Sequence, residues 1–209
     1  NSLKIISYGT EPMPESTLKR LKIIFPNVKL LQTYGLIELG AMQSKSEKDD
    51  SLWVKVGGDG YNTRVVDGML EIKAKSAMLG YLNAPSPFTK DGWFKTDDAV
   101  EVKGEYIKIL GRKSEIINVG GEKVYPQEVE NVIQMMDNVA EVIVFGEKNM
   151  IMGNIVAATV SLIKDEDEEE FITKLKKHCS EKLQNYKIPV RVRINNEVQY
   201  NERFKKKRH

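Results

Sequence analysis

Two neighbouring carboxylates, Asp97 and Asp98, end the segment GWFKTDD, and a guanidinium, Arg112, follows them across a stretch that reads as a hairpin. One carboxylate can accept hydrogen bonds from two vicinal hydroxyls, and a guanidinium beside it adds donors in a fixed planar fork. That chemistry suits a ribose. Beyond Arg112 comes a short polar joint, Lys113 to Glu115, then the paired glycines Gly120 and Gly121, then a helix opened by Pro126. The stretch from Asp91 to Glu130 therefore carries most of the residues with recognisable chemistry.

The elements that position these residues follow from periodicity. Leu3 to Ser7 reads as a buried strand, and Tyr8 to Pro12 as a turn enforced by Gly9 and Pro12. A helix opens at Met13-Pro14 with Leu18, Leu21, Ile24 and Phe25 on one face, and Pro26 ends it. Lys29 to Thr33 is a second strand, turned at its end by Tyr34-Gly35. Strand, helix, strand implies a parallel crossover, with both loops at the strand ends where open α/β sheets bind ligands. Ser44 to Asp50 reads as a polar, mobile connection. Leu52 to Val56, Thr63 to Val66 and Met69 to Lys73 are short strands, with Asp67-Gly68 as a hairpin signal. Ala99 to Lys103 and Tyr106 to Leu110 pair around Gly104, and strands at this spacing point to a small barrel.

After Arg112 the pattern changes. Pro126 fits the first position of a helix whose Val129, Val132 and Ile133 share a face. Val139 to Phe145 and Ile155 to Ile163 read as a strand pair. The acidic run Asp165 to Glu170 leads into a helix bearing Phe171, Leu175, Cys179 and Leu183, and acidic charge at a helix N-terminus is favourable.

Composition narrows the function classes. With 41% apolar content, the 209 residues can build a core as one large domain or two small ones. The 32 basic and 30 acidic residues leave a net charge of +2, which gives no global case for nucleic acid or a membrane surface. A single cysteine, Cys179, excludes an internal disulfide, and two histidines argue against a histidine-rich metal cage. A reducing, cytoplasmic setting is the simple expectation. No apolar run approaches the roughly 20 residues needed to span a bilayer. The abrupt start at Asn1-Ser2, leading into a strand, is read as the mark of a missing N-terminal part.

Six segments in fixed order carry a family resemblance: GTEP (Gly9 to Pro12), QTYGLIE (Gln32 to Glu38), GYLNAP (Gly80 to Pro85), GWFKTDD (Gly92 to Asp98), GRKSEIINVGGEKVYPQEVE (Gly111 to Glu130) and YKIP (Tyr186 to Pro189). In these the chain resembles the C-terminal portion of the adenylate-forming superfamily, which comprises acyl-CoA synthetases, peptide-synthetase adenylation domains and luciferases. The resemblance implies a multi-domain α+β fold. Residues 1–43 would be a strand-helix-strand remnant of the large AMP-binding domain and 44–111 a β-barrel subdomain. Residues 112–115 would form a hinge centred on Ser114, and 116–209 a compact α+β lid domain.

The resemblance also implies roles. Tyr34 would stack on adenine, the backbone of Gly9, Thr10, Glu11 and Pro12 would pair with its edge, and Asp98 with Arg112 would grip the ribose. Glu38 matches the glutamate that helps to hold Mg²⁺, which requires oxygen ligands. Gly120 and Gly121 would line the channel for pantetheine, where paired glycines let the backbone approach closely. Aligned from YKIP, Lys205 falls at the catalytic lysine that reaches the α-phosphate and carboxylate oxygens.

Four departures stand against this pattern, one of them Ser114, where the family more often has a charged residue. Ile37 replaces a usual threonine, Asp97 a usual glycine, and Arg203-Phe204 the Ser-Gly that normally precedes the lysine. Asp97 is expected to face solvent. From the residues alone, Tyr34 also fits simple packing beside a turn, Gly120-Gly121 a tight turn, and Lys205 to Arg208 a basic tail.

The implied parent is an ATP-dependent acyl-CoA ligase using ATP, Mg²⁺, CoA and a small carboxylic acid. The alternatives are an enzyme that loads the pantetheine arm of a carrier protein and a non-catalytic nucleotide-binding module. The 209 residues lack the family's glycine-rich Ser/Thr phosphate loop, so by themselves they are expected to be inactive. Nucleic-acid binding through the tail is disfavoured, because no aromatic platform is interleaved with its charges.

Overall fold

The computed structural model describes residues 2–40, 42–195 and 206. The chain divides into two compact units, Asn1–Ser114 and Glu115–His209.

The first unit opens with β1 (Ile5–Tyr8), α1 (Glu15–Ile24) and β2 (Lys29–Gln32). β1 and β2 pair in parallel, with Ile5 opposite Lys29 and Tyr8 opposite Gln32, as a helical crossover requires. Pro14 takes the N-cap position of α1, and the helix ends one residue before Phe25. Its apolar face is narrower than the spacing implies: Leu18 is fully buried, whereas Ile24 is 56% exposed. β1 likewise is not the buried strand expected, since Leu3 and Ile5 are both about half exposed.

The rest of the unit is a curled six-stranded sheet in the order β3-β4-β8-β7-β6-β5. Its strands are β3 (Gln43–Ser46), β4 (Val54–Gly57), β5 (Tyr61–Val66), β6 (Met69–Ala74), β7 (Phe94–Lys103) and β8 (Tyr106–Arg112). Asp67 and Gly68 both adopt positive φ (51° and 77°), the geometry of a tight primed hairpin turn between β5 and β6. The polar segment Ser44 to Asp50 is only in part a loop: Ser44 to Ser46 belong to the edge strand β3, antiparallel to β4, and Glu47 to Asp50 turn the chain. Polarity misled here because an edge strand keeps one side in water. Leu39, Val54, Val56, Leu70, Ile72, Phe94, Val100 and Ile107 form the core, with Tyr34 packed against it.

In the second unit, β9 (Ile117–Val119) and β10 (Glu122–Val124) make a small hairpin, followed by α2 (Pro126–Ile133), β11 (Val139–Asn149), β12 (Gly153–Leu162), α3 (Glu168–Ser180) and β13 (Arg191–Ile194). Among the described residues these form a five-stranded sheet, β10-β9-β12-β11, with β13 parallel to β12. Pro126 begins α2, where its missing N–H costs nothing. Asp167 caps α3 by accepting from the Glu170 N–H at 2.9 Å, and three glutamates follow in the first turn. Val129, Ile133, Phe171, Leu175 and Cys179 from the two helices share one core with Val142, Val144, Val156 and Val160 of the sheet.

Candidate nucleotide site

Asp98 and Arg112 are register partners on β7 and β8. Arg112 Nε lies 2.9 Å from Asp98 Oδ1, and the Tyr34 hydroxyl donates to Asp98 Oδ2 at 2.5 Å. The carboxylate is buried at 5% exposure, while the Arg112 side chain remains about half exposed. Burial and the adjacent Asp98 charge push the Tyr34 hydroxyl well above its ordinary pKa, so it acts as a donor. A short hydrogen bond to an ionised oxygen is the strong, orienting kind. The three expected sugar- and base-contacting side chains therefore meet at one point.

Thr96 ties this point to the sheet. Its hydroxyl donates to the Leu70 carbonyl of β6 at 2.8 Å and accepts from the Asp98 N–H at 3.1 Å. Its carbonyl accepts from Arg112 Nη1 at 2.8 Å. Sequence reasoning passed over Thr96. The available signal was its place two residues before Asp98, on the same strand face.

Asp97 is exposed, as expected, and the reason is local. It adopts φ 57° where the register of β7 against β6 shifts, between the pairs Glu71–Lys95 and Met69–Ala99, and Asp98 is the one of the two carboxylates that is buried. A glycine occupies that backbone region most easily, although Asp tolerates it better than most residues.

The GTEP turn is also special. A Cβ on Gly9 would lie 2.8 Å from the Thr33 carbonyl oxygen, so only glycine lets the two strand ends approach this closely. Thr33 N–H and hydroxyl both donate to the Tyr8 carbonyl, at 2.8 and 3.0 Å. Thr10 has φ 68°, a costly position for a β-branched residue. The Tyr34 backbone is held by Ser44, whose hydroxyl accepts from Tyr34 N–H at 2.9 Å. This partner lies in the part of the polar segment misread as a loop.

Glu38 accepts from the Tyr81 hydroxyl at 2.8 Å, and that bond raises the Tyr81 pKa. Tyr81 belongs to the GYLNAP segment, for which the sequence offered no role. Among the described residues no group of three or more His, Cys, Asp or Glu could hold a metal. A lone, partly exposed carboxylate fits Mg²⁺ that takes its remaining ligands from phosphate and water. Ile37 is 98% exposed and contributes no hydroxyl.

In the second unit, Gly120 and Gly121 form the β9–β10 turn with φ 58° and 96°. Gly120 N–H donates to the Met152 carbonyl and Gly121 N–H to Asn118 Oδ1, at 3.0 and 3.1 Å. A Cβ on Gly120 would sit 2.7 Å from Met152 Cε, so that glycine also meets a close neighbour. Ser114 is the middle residue of the short 3-10 turn Lys113–Glu115, and the division between the two units falls directly after it. Lys205 lies outside the described residues.

Comparison with known proteins identifies the relatives of the chain. Residues 128–205 match the family described as AMP-binding enzyme C-terminal domain. A 2-succinylbenzoate–CoA ligase of Enterococcus faecalis is 31% identical over 184 residues, covering 79% of this chain and 37% of that protein. Acyl-CoA synthetase 7 of Caenorhabditis elegans is 33% identical over 205 residues, covering 90% and 38%. The crystal structure of ATP-bound MatB from Rhodopseudomonas palustris superposes with a TM-score of 0.79 at 26% identity, covering 95% of this chain and 42% of that one. The chain thus spans about two fifths of the length of the curated relatives it matches. No helix among the described residues is long and apolar enough to cross a membrane.

Proposed function

Because the chain belongs to the adenylate-forming superfamily and corresponds to its C-terminal portion, we propose that it serves an ATP-dependent acyl-CoA ligase. In the first half-reaction a carboxylate oxygen of the acid attacks the α-phosphorus of ATP, the bond to the bridging oxygen breaks, and pyrophosphate leaves. In the second, the CoA sulfur attacks the acyl carbonyl and AMP leaves.

The chain's own residues would act by positioning and by stabilising charge. Asp98 accepts from the two ribose hydroxyls, Arg112 holds that carboxylate in place, and Tyr34 presents its ring to adenine. The backbone from Gly9 to Pro12 borders the base. Glu38 would hold Mg²⁺, which neutralises phosphate charge when bound. Lys205 stabilises negative charge on the α-phosphate and carboxylate oxygens. Rotation at Ser114 exchanges the two half-reactions, and Gly120-Gly121 lets the pantetheine arm pass. The observation that carries this reading is the meeting of Tyr34, Asp98 and Arg112 at one buried carboxylate.

ATP–pyrophosphate exchange against a panel of carboxylic acids, in the enzyme containing this chain, tests the reading. Acid-dependent exchange abolished by Asp98→Ala supports it, and exchange untouched by that change overturns it. Offering CoA and a pantetheinylated carrier protein separately identifies the acceptor. The 209 residues alone, which carry no glycine-rich Ser/Thr phosphate loop, are proposed to be inert; robust exchange by them would refute that part. Two departures, exposed Ile37 and Arg203-Phe204 before Lys205, favour a second reading, a nucleotide-binding module without catalysis. Nucleotide binding without exchange in the same assay would establish it.

A further inference from the structure

Three consecutive lysines, Lys205, Lys206 and Lys207, have identical side chains, and nothing in their chemistry ranks them. The fold does. Lys206 Nζ lies 2.7 Å from Glu130 Oε2 and donates to the Val142 carbonyl at 3.1 Å. Its side chain is 12% exposed and that of Glu130 only 2%. The other Glu130 oxygen, Oε1, accepts from the Val144 N–H at 2.9 Å. One buried carboxylate on α2 thus binds both the β11 backbone at Val144 and Lys206, and Lys206 in turn bonds β11 at Val142.

A buried carboxylate must be paired, and removing its cationic partner is costly because it leaves an uncompensated buried charge. We propose that Glu130 and the Val142 carbonyl select Lys206 out of the lysine run as an anchor. Lys206 is then a positioning residue that fixes where its covalent neighbour Lys205 begins. A slip of one residue in an extended segment moves every side chain by roughly 3.3 Å and turns it to the opposite face. Such a shift exceeds the tolerance of a hydrogen bond to a reacting oxygen. What Lys205 does once placed rests on the reading under Proposed function; the anchor itself does not.

The anchor is tested directly on the 209-residue chain by acetylation with an amine-reactive ester. Chymotryptic cleavage after Phe204 and fragmentation mass spectrometry then read each lysine. Lys206 is expected to react at least tenfold more slowly than Lys205 and Lys207, and Glu130→Gln to bring it to their rate. Equal rates for all three in the native chain would overturn the anchor. In the enzyme, Lys206→Met is expected to lower kcat for exchange at least tenfold, leave KM for ATP within twofold and add nothing to Lys205→Ala, with Lys206→Arg recovering part of the loss. Losses that multiply with Lys205→Ala would overturn the positioning role. A Glu130→Gln/Lys206→Met pair, which leaves no unpaired buried charge, keeps the kinetic comparison valid where Lys206→Met alone unfolds. If Lys205→Ala itself leaves exchange intact, the role given to Lys205 falls, while the labelling rates still decide the anchor.

Discussion

Tyr34 and Asp98 lie 64 positions apart in the chain, yet the hydroxyl of one sits 2.5 Å from the carboxylate of the other. With Arg112 on the second oxygen, the carboxylate is oriented from both sides by groups that belong to the fold. A sugar would meet an acceptor whose rotamer is already chosen, so little side-chain entropy remains to be lost.

Asp98→Asn is expected to keep the fold and weaken AMP binding at least tenfold, or about 1.4 kcal/mol. The amide retains one acceptor but loses the charge and the second lone-pair set that two hydroxyls require. Titration calorimetry of the enzyme reads the change. An unaltered dissociation constant would remove Asp98 from the site.

Tyr34→Phe is expected to lower unfolding stability by about 1.5–3 kcal/mol, the range for a hydrogen bond to a charged group. Since Tyr34 is held protonated in the folded state, its contribution is fully present below its ordinary pKa of 10.0 and is lost only as pH rises beyond it. Absorbance titration to pH 11 should therefore give the same tyrosinate signal in the native protein and in Tyr34→Phe. A smaller signal in the variant would mean that Tyr34 ionises normally.

The two positive-φ residues beside the site supply a further expectation. Thr10→Gly and Asp97→Gly should each raise stability by up to about 1 kcal/mol, because glycine adopts those backbone angles without strain. Urea midpoints measure the gain. Destabilisation by Asp97→Gly would show that the Asp97 side chain holds the bulge.

Gly121→Ala places a side chain at φ 96° in the turn proposed to admit pantetheine. It is expected to slow thioester formation from added acyl-AMP at least tenfold and to change ATP–pyrophosphate exchange less than threefold. Equal losses in both half-reactions would assign the turn a purely structural role.

Cys179 is fully buried, and burial pushes its thiol from 9.0 up to about 11. Its contribution to stability is intact below pH 9 and declines as pH rises towards 11, by on the order of 2–3 kcal/mol in all. Cys179→Ser should flatten that alkaline decline. Native protein at pH 8 should resist a disulfide reagent that labels the unfolded chain at once, and rapid native labelling would contradict the burial.

Local chemistry made much of this molecule legible. Asp67-Gly68 and Pro126 each announce a backbone state that few other residues adopt, and the hairpin and helix start fall there. Asp98 and Arg112 were legible as neighbours across a hairpin, but counting from Gly104 would set Asp98 opposite Gly111, and it is the register shift between Ala99 and Val100 that brings Arg112 opposite it. What could not be read was set by tertiary packing. Ser44 looked like loop polarity but serves an edge strand and holds Tyr34 in place. Tyr81 reaches Glu38 across 43 positions, and Lys206 reaches Glu130 across 76, with no periodicity to link either pair. Ile24 and Ile5 are apolar yet exposed, and no spacing rule marks which side of an amphipathic element stays uncovered.

Thr96 joins strands β6, β7 and β8 through one hydroxyl and one carbonyl, and its hydroxyl also holds the backbone N–H of Asp98, the acceptor proposed for the sugar. The acceptor therefore inherits the stiffness of the sheet and not the looseness of a connecting segment. On heating, recognition of a nucleoside should persist up to the cooperative melting of that sheet and vanish with it, with no earlier loss from local fraying.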